Sequence, residues 1–136
     1  MSAVFGDSFL YIALLNRHDQ FHAKAVAFVD SFRDRVVTTE WVLAEVGDAF
    51  AGSKVRPHIK AFVNELKGNQ SVEVIEASST LFRRGLELYH ARADKEWSLT
   101  DCTSFEVMEE FGLTEAVMGD RHYEQAGYRA LLLQSI

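Results

Sequence analysis

Two periods of hydrophobic residues alternate along the chain: short apolar or β-branched runs, and longer stretches with helical spacing. The short runs predict five strands, namely Ala3–Gly6, Arg35–Thr38, Val72–Ile75, Glu115–Met118 and Tyr128–Leu132. A helical stretch precedes or follows each run, and strands connected in this way usually lie parallel. The pattern therefore predicts an α/β fold with a parallel sheet.

Apolar residues at helical spacing mark two helix faces that we expect to pack on the sheet. The first face consists of Phe21, Ala25, Phe28, Val29 and Phe32, and the second of Ile59, Phe62, Val63 and Leu66. Pro57 is suited to begin the second helix, and Gly68 with Asn69 to end it in a left-handed turn. Since 136 residues without a repeat or linker suffice for one core, we expect a single domain over residues 1–136.

Composition narrows the class of protein. Apolar residues make up 48% of the chain and charged residues 25%, which is typical of a globular domain. No apolar run approaches the roughly 20 residues of a membrane span, and the beginning of the chain lacks the basic region of a secretory signal. The lone Cys102 fits a reducing compartment and is interpreted as a small buried residue. We therefore expect a cytoplasmic protein with no membrane partner.

The net charge of -6 ordinarily argues against a nucleic-acid partner, because phosphate binding depends on Lys and Arg. A nuclease that holds a divalent cation must nevertheless concentrate carboxylates, and the cation reverses the field that a phosphate meets. The acidic balance is therefore compatible with a nuclease without indicating one.

Two acidic residues follow predicted strands. Asp7 comes directly after the first strand, and Asp120 lies two residues after the fourth. The carboxyl ends of parallel strands meet at one edge of the sheet, where such folds bind their ligands. Each residue also has an ordinary alternative, since Asp7 could cap a helix and Asp120 could lie in a turn.

Two further acids lie on inward helix faces. Glu45 shares the apolar stripe of a helix predicted from Glu40 to Ala51, whereas Asp48 is interpreted as a solvated neighbour. Asp101 begins a helix with the same inward orientation. A buried salt bridge is the alternative for Glu45, and a capping box with Ser98 is the alternative for Asp101.

Convergence of the four acids at one point favours a magnesium or manganese site, because carboxylate oxygens are the ligands those ions prefer. One or two such ions would activate water for phosphodiester hydrolysis. Zinc is disfavoured, because the His residues form no ligand set with the single Cys. His18 and His22 are interpreted as surface residues.

The order of these motifs resembles the PIN domain, and in particular the VapC-type toxins of bacterial and archaeal toxin-antitoxin pairs. The resemblance spans nearly the whole chain and is carried by four segments, VFGDSFLYIALLNRHDQFHAKAVAF, TTEWVLAEV, SLTDC and GDRHYEQAGY. It implies a three-layer α/β/α fold with a parallel five-stranded sheet, and a Mg²⁺- or Mn²⁺-dependent endoribonuclease.

The resemblance also assigns roles to residues. Asp7, Glu45, Asp101 and Asp120 become the catalytic, metal-binding quartet, with Ser8 and Thr39 as hydroxyl supports around it. The chain departs from the family pattern at Met118, where a Thr is usual, and at Gly6, where an apolar residue is usual.

Partners follow from the resemblance and from charge. The basic candidates for holding an RNA backbone are Arg17, Lys54, Arg56, Arg121 and His122. The resemblance further implies a cognate antitoxin and a homodimer formed through apolar helix faces. Three alternatives remain open: a non-catalytic PIN-like scaffold that binds RNA or protein, a magnesium-dependent DNA nuclease, and a phosphatase. Phe9 disfavours the phosphatase, because aspartyl phosphatases need a second Asp there.

Overall fold

A five-stranded sheet runs through the molecule in the computed structural model, which describes residues 3–118 and 121–132. The strands are β1 (Val4–Gly6), β2 (Val36–Thr39), β3 (Val72–Ile75), β4 (Glu115–Met118) and β5 (Arg129–Leu132). All four pairings are parallel, in the order β3-β2-β1-β4-β5. The predicted parallel sheet is confirmed, and the strand bounds differ from the predicted ones by at most one residue.

Seven α-helices flank the sheet within these residues, which confirms the predicted three-layer α/β/α fold. They are α1 (Ser8–Leu15), α2 (His22–Ser31), α3 (Glu40–Ala49), α4 (Ile59–Gly68), α5 (Ser79–Ala91), α6 (Leu99–Phe111) and α7 (His122–Gln125). A 3-10 turn that contains Pro57 leads into α4, as predicted. None of the helices described is long and apolar enough to cross a membrane.

The central strand β1 lies between β2 and β4, so the chain order reverses at this point of the sheet. A crevice forms outside the carboxyl ends of the strands where such a reversal occurs. The backbone amide of Asp7 donates to the carbonyl oxygen of Val117 at 3.2 Å. This bond holds the residue that follows β1 beside the end of β4.

An aromatic cluster packs beside the central strand. The ring centroid of Phe105 on α6 lies 5.0 Å from that of Trp97, 4.9 Å from that of Tyr123 and 5.8 Å from that of Tyr128. Phe5 on β1 extends the cluster, with its centroid 6.2 Å from that of Tyr123. The cluster joins α6, α7 and the central strand, so it fixes the elements that carry the site.

Three expectations about the helices are wrong. Val29 is 46% exposed, because α2 packs mainly against α1 and buries only Ala25 and Phe28. The predicted left-handed turn after α4 is absent, since Asn69 is extended at φ -85° and ψ 120°. Helix α3 ends at Ala49, two residues earlier than predicted.

Candidate active site

Asp7 lies at the junction of β1 and α1 and is almost completely buried. Its side chain accepts no capping hydrogen bond from α1, so capping does not explain it. It accepts a hydrogen bond from the hydroxyl of Tyr123 instead, with Oη 3.0 Å from Oδ1. The pKa of Asp7 is raised from 3.8 to about 7, chiefly because the carboxyl is buried. Hydrogen bonds from the Ser8 backbone and the Tyr123 hydroxyl lower this pKa, and the charges of Asp101 and Glu45 raise it.

Glu45 reaches the same region from α3. It is half-buried, and its Oε1 accepts a hydrogen bond from Ser8 Oγ at 2.5 Å. Within residues 3–118 and 121–132 the structure shows no ion pair for Glu45, so the salt-bridge alternative gains no support. Asp48, one turn along the helix, is exposed, as expected of a solvated neighbour.

Asp101 both caps a helix and belongs to the site. Ser98 Oγ accepts from the amide of Asp101 at 2.9 Å, and Asp101 Oδ2 accepts from the amide of Ser98 at 3.0 Å. The same Oδ2 lies 2.9 Å from Nδ1 of His122 on α7. The capping box is therefore confirmed, and it leaves the buried carboxylate beside α7 instead of removing it from the cluster.

The hydroxyls of Thr38 and Thr39, at the end of β2, bond to the backbone of neighbouring elements. Thr39 Oγ1 accepts from the amide of Val42 at 3.1 Å, so this residue caps α3 and fixes the helix that carries Glu45. Thr38 donates from its hydroxyl to the carbonyl oxygen of Gly6 at 2.8 Å. Ser8, by contrast, donates its hydroxyl directly to the carboxylate of Glu45.

Asp101 and Glu45 lie near enough to Asp7 for their charges to raise its pKa. Asp120 lies outside the described residues. In the part of the chain that the structure describes, no three His, Cys, Asp or Glu side chains are already arranged to hold a metal ion. The donor set nevertheless consists of carboxylate and hydroxyl oxygens, which fits a hard divalent cation better than zinc.

The five predicted RNA-contacting residues differ in exposure and in their hydrogen bonds. Arg17, Lys54, Arg56 and Arg121 are exposed, and Arg56 donates to the carbonyl oxygen of Ala51 at 2.7 Å. His122 alone among the five predicted RNA-contacting residues has a described hydrogen bond to one of the acids.

The interpretation of His18 and His22 as surface residues is half right. His18 is exposed. His22 is half-buried, with Nδ1 2.9 Å from the carbonyl oxygen of Ala13, and therefore joins α2 to α1 instead of facing solvent.

The sequence did not indicate the contact between Tyr123 and Asp7. Tyr123 lies in a four-residue helix, too short to show an apolar period, and it is separated from Asp7 by 116 positions. Only its place three residues after the predicted acid Asp120, in the segment DRHYEQAGY, distinguished Tyr123 from an ordinary core aromatic.

Comparison with solved structures decides the family of the fold. The VapC20 toxin of Mycobacterium tuberculosis, described as cleaving the sarcin-ricin loop, superimposes with a TM-score of 0.80 at 26% identity, covering 92% of this chain and 95% of that one. The chain folds as a VapC-type PIN domain.

More distant structures show the same fold. FitAcB of Neisseria gonorrhoeae gives a TM-score of 0.66 at 13% identity, over 98% of this PIN domain and 99% of that chain. VapBC2 of Rickettsia felis, bound to a DNA fragment from its promoter, gives a TM-score of 0.66 at 11% identity. The superposition covers 96% of this chain and 98% of that one. No protein-family profile and no curated protein sequence matches the chain.

This PIN domain departs from the family pattern at Gly6, where an apolar residue is usual, and the packing around Gly6 gives the reason. A Cβ at Gly6 would lie 2.7 Å from the hydroxyl oxygen of Tyr11, which is closer than real Cβ atoms approach such an atom. Tyr11 on α1 is 2% exposed, so its ring and hydroxyl fill the space that a side chain at position 6 would need. The second departure, Met118, is fully buried in the core.

Proposed function

We propose that this PIN domain is a Mg²⁺- or Mn²⁺-dependent endoribonuclease and the toxin of a type II toxin-antitoxin pair. The observation that supports the proposal is that Glu45 and Asp101, from two separate helices, lie near enough to the buried Asp7 at the end of β1 for their charges to raise its pKa. The similarity to a toxin that cleaves RNA, over nearly the full length of both chains, supports the same assignment.

The electrostatics of the cluster favour a bound cation. Carboxylates that are buried near one another repel, and a divalent ion removes both the repulsion and the cost of burial. Burial first, and the charges of Asp101 and Glu45 to a smaller extent, raise the pKa of Asp7 to about 7. Asp7, Glu45, Asp101 and Asp120 would hold the ion, which when bound supplies Lewis-acid stabilisation and lowers the pKa of water.

The chain's own residues orient this cluster for the reaction. Ser8 fixes one oxygen of Glu45, and the capping box fixes Asp101 at the beginning of α6. Arg121, exposed beside His122, is suited to contact the phosphate groups of an RNA backbone near these acids. No side chain is needed as a covalent nucleophile, since hydrolysis uses water.

The decisive experiment is an RNA cleavage assay with an RNA pool and a sarcin-ricin loop oligonucleotide. We expect cleavage with Mn²⁺, none with chelator, and none by Asp101→Asn. Asp94→Asn is the matched control, because Asp94 is an exposed Asp whose partners are Arg92 and Lys95. Cleavage that survives both chelation and Asp101→Asn would overturn the proposal, and cleavage of DNA alone would favour a DNA nuclease.

We also propose a cognate antitoxin and a homodimer as partners. Phe82, Leu86 and Tyr89 lie at helical spacing on α5 and are 42 to 49% exposed, which leaves an apolar face for self-association. Co-expression with the product of a neighbouring short reading frame should yield a complex without nuclease activity. Light scattering of the purified chain should give the mass of a dimer, and Leu86→Glu should reduce it to that of a monomer.

A further inference from the structure

Two adjacent residues of α7 contact two different carboxylates of the cluster. Tyr123 donates its hydroxyl to Asp7 Oδ1 at 3.0 Å, and His122 Nδ1 lies 2.9 Å from Asp101 Oδ2. Asp7 ends β1, whereas Asp101 lies in the first turn of α6. The short helix therefore bridges the two elements that bring the acids together.

We propose that Tyr123 is a positioning residue that holds Asp7 in the orientation in which its carboxylate binds the divalent ion. The inference rests on the proposed function, because it assumes that Asp7 is a metal ligand. It extends that function to a residue that neither the fold nor the acidic motif points to.

Burial makes the hydroxyl of Tyr123 an effective support. Tyr123 is fully buried and Asp7 is 5% exposed, so water competes little for the bond between them. A hydrogen bond to a charged carboxylate is stronger than one between neutral groups, and a buried carboxylate oxygen that loses its donor is costly. Tyr123 thus favours one rotamer of Asp7 over the others.

The ring of Tyr123 is fixed as firmly as its hydroxyl. It packs edge-on against Phe105 at 4.9 Å between centroids and against Phe5 on β1 at 6.2 Å. Because the ring cannot shift without disturbing this cluster, the position of its oxygen is set by the core. Tyr123 is fully buried, so it acts through Asp7 and not by touching RNA.

Tyr123→Phe tests the proposal, because it removes one oxygen and keeps the ring. Tyr128→Phe is the matched control: Tyr128 also packs on Phe105, and its hydroxyl donates to the carbonyl oxygen of Phe105 at 3.1 Å without contacting an acid. Calorimetric titration with Mn²⁺ measures binding directly, and RNA cleavage at rising Mn²⁺ concentration measures its consequence.

We expect Tyr123→Phe to weaken Mn²⁺ binding by roughly 10-fold, in the range found for outer partners of metal ligands. Saturating Mn²⁺ should restore most of the cleavage rate, whereas Tyr128→Phe should bind Mn²⁺ like the wild type. A purely structural role for the hydroxyl would change stability in both variants and metal affinity in neither.

Equal Mn²⁺ affinity in wild type and Tyr123→Phe would overturn this inference and leave the proposed function intact. Absence of Mn²⁺ binding by the wild type would overturn both. If Tyr123→Phe does not fold, the wild type with ¹³C-labelled tyrosine Cζ replaces it: the Tyr123 signal should shift on addition of Mg²⁺ whereas the Tyr128 signal should not, and an unmoved Tyr123 signal would overturn the inference.

Discussion

Carboxylates on the surface of this molecule and carboxylates at the end of its central strands have different partners. Glu40 accepts a hydrogen bond from Lys67 Nζ at 2.7 Å, which lowers the pKa of its carboxyl. Arg92 does the same for Asp94 and lowers its pKa to about 2. At the sheet end, the hydroxyls of Tyr123 and Ser8 donate to Asp7 and Glu45, and His122 contacts Asp101. Burial there raises the pKa of Asp7 to about 7.

The difference shows where the chain leaves negative charge uncompensated. Glu40 and Asp94 each have a cation from the same chain, so they have no need of an external one. The hydroxyls that contact Asp7 and Glu45 orient these carboxylates without neutralising them, so both keep their affinity for a positive ion. A site for a cation is thus distinguished by the kind of donor around its acids more than by their number.

Neutralising one acid in each region is the most sensitive test of the difference between them. Asp7→Asn should reduce Mn²⁺-dependent RNA cleavage by about 100-fold or more, because losing a ligand costs at least as much as losing an outer partner. Glu40→Gln should leave the cleavage rate unchanged, since Glu40 bonds to Lys67 and Ala77 away from the cluster. Single-turnover assays would measure both, and equal loss in the two variants would contradict the comparison.

A second prediction concerns pH and the stability of the metal-free protein. Because the pKa of Asp7 is higher in the folded state than its ordinary value of 3.8, the folded state binds the proton more tightly. Asp7 therefore lowers the free energy of unfolding progressively as the pH rises from about 4 to about 7. The accumulated loss is on the order of 4 kcal/mol at pH 8.

Denaturant unfolding at about pH 5 and pH 8, with chelator present, measures this effect. Wild type should lose stability over that interval relative to Asp7→Asn, whose side chain does not titrate. The addition of Mn²⁺ at pH 8 should return stability to wild type and not to the variant. A pH dependence that is identical in the two proteins would refute the assignment of the raised pKa to Asp7.

A third, smaller effect is expected at Gly6, which precedes Asp7. Gly6→Ala should destabilise the fold by about 1–3 kcal/mol, because its Cβ would overlap the Tyr11 hydroxyl. The double variant Gly6→Ala/Tyr11→Phe removes the overlapping oxygen and should recover part of that loss. Thermal unfolding of the two single variants and the double variant gives the coupling, and strict additivity would argue against the contact.

The smallest effect should come from the surface pair. Lys67→Ala removes the partner of Glu40, but both side chains are substantially exposed, so stability should change less than in the variants above. The change should shrink further in high salt, because ions screen exposed charges. A loss as large as that at Gly6 would mean that the surface pair is structurally important.

The pattern of the sequence was sufficient for the sheet and for the proximity of Glu45 and Asp101 to Asp7. β-branched runs such as Val72–Ile75 mark the strands, and parallel order places the residue after β1 at the ligand edge. Helical spacing turns Glu45 and Asp101 inward. These features are local or depend on topology, so periodicity and spacing can predict them.

Contacts between distant residues were not predictable in the same way. The bond between Tyr123 and Asp7, and the packing of Tyr11 over Gly6, depend on how rings fill the core. Val29 was wrongly placed on a packed face because α2 lies against α1, which an apolar stripe does not specify. Asn69 has an extended backbone although Gly-Asn favours a left-handed turn, so local preference was overridden there.

The dual engagement of Asp101 has a consequence for the entropy of ligand capture. Its carboxylate is already immobilised by the amide that starts α6 and by His122, so no rotamer freedom remains to be lost when a ligand arrives. Forming the helix thus prepares this part of the site, and a change that frays the first turn of α6 would loosen the carboxylate as well.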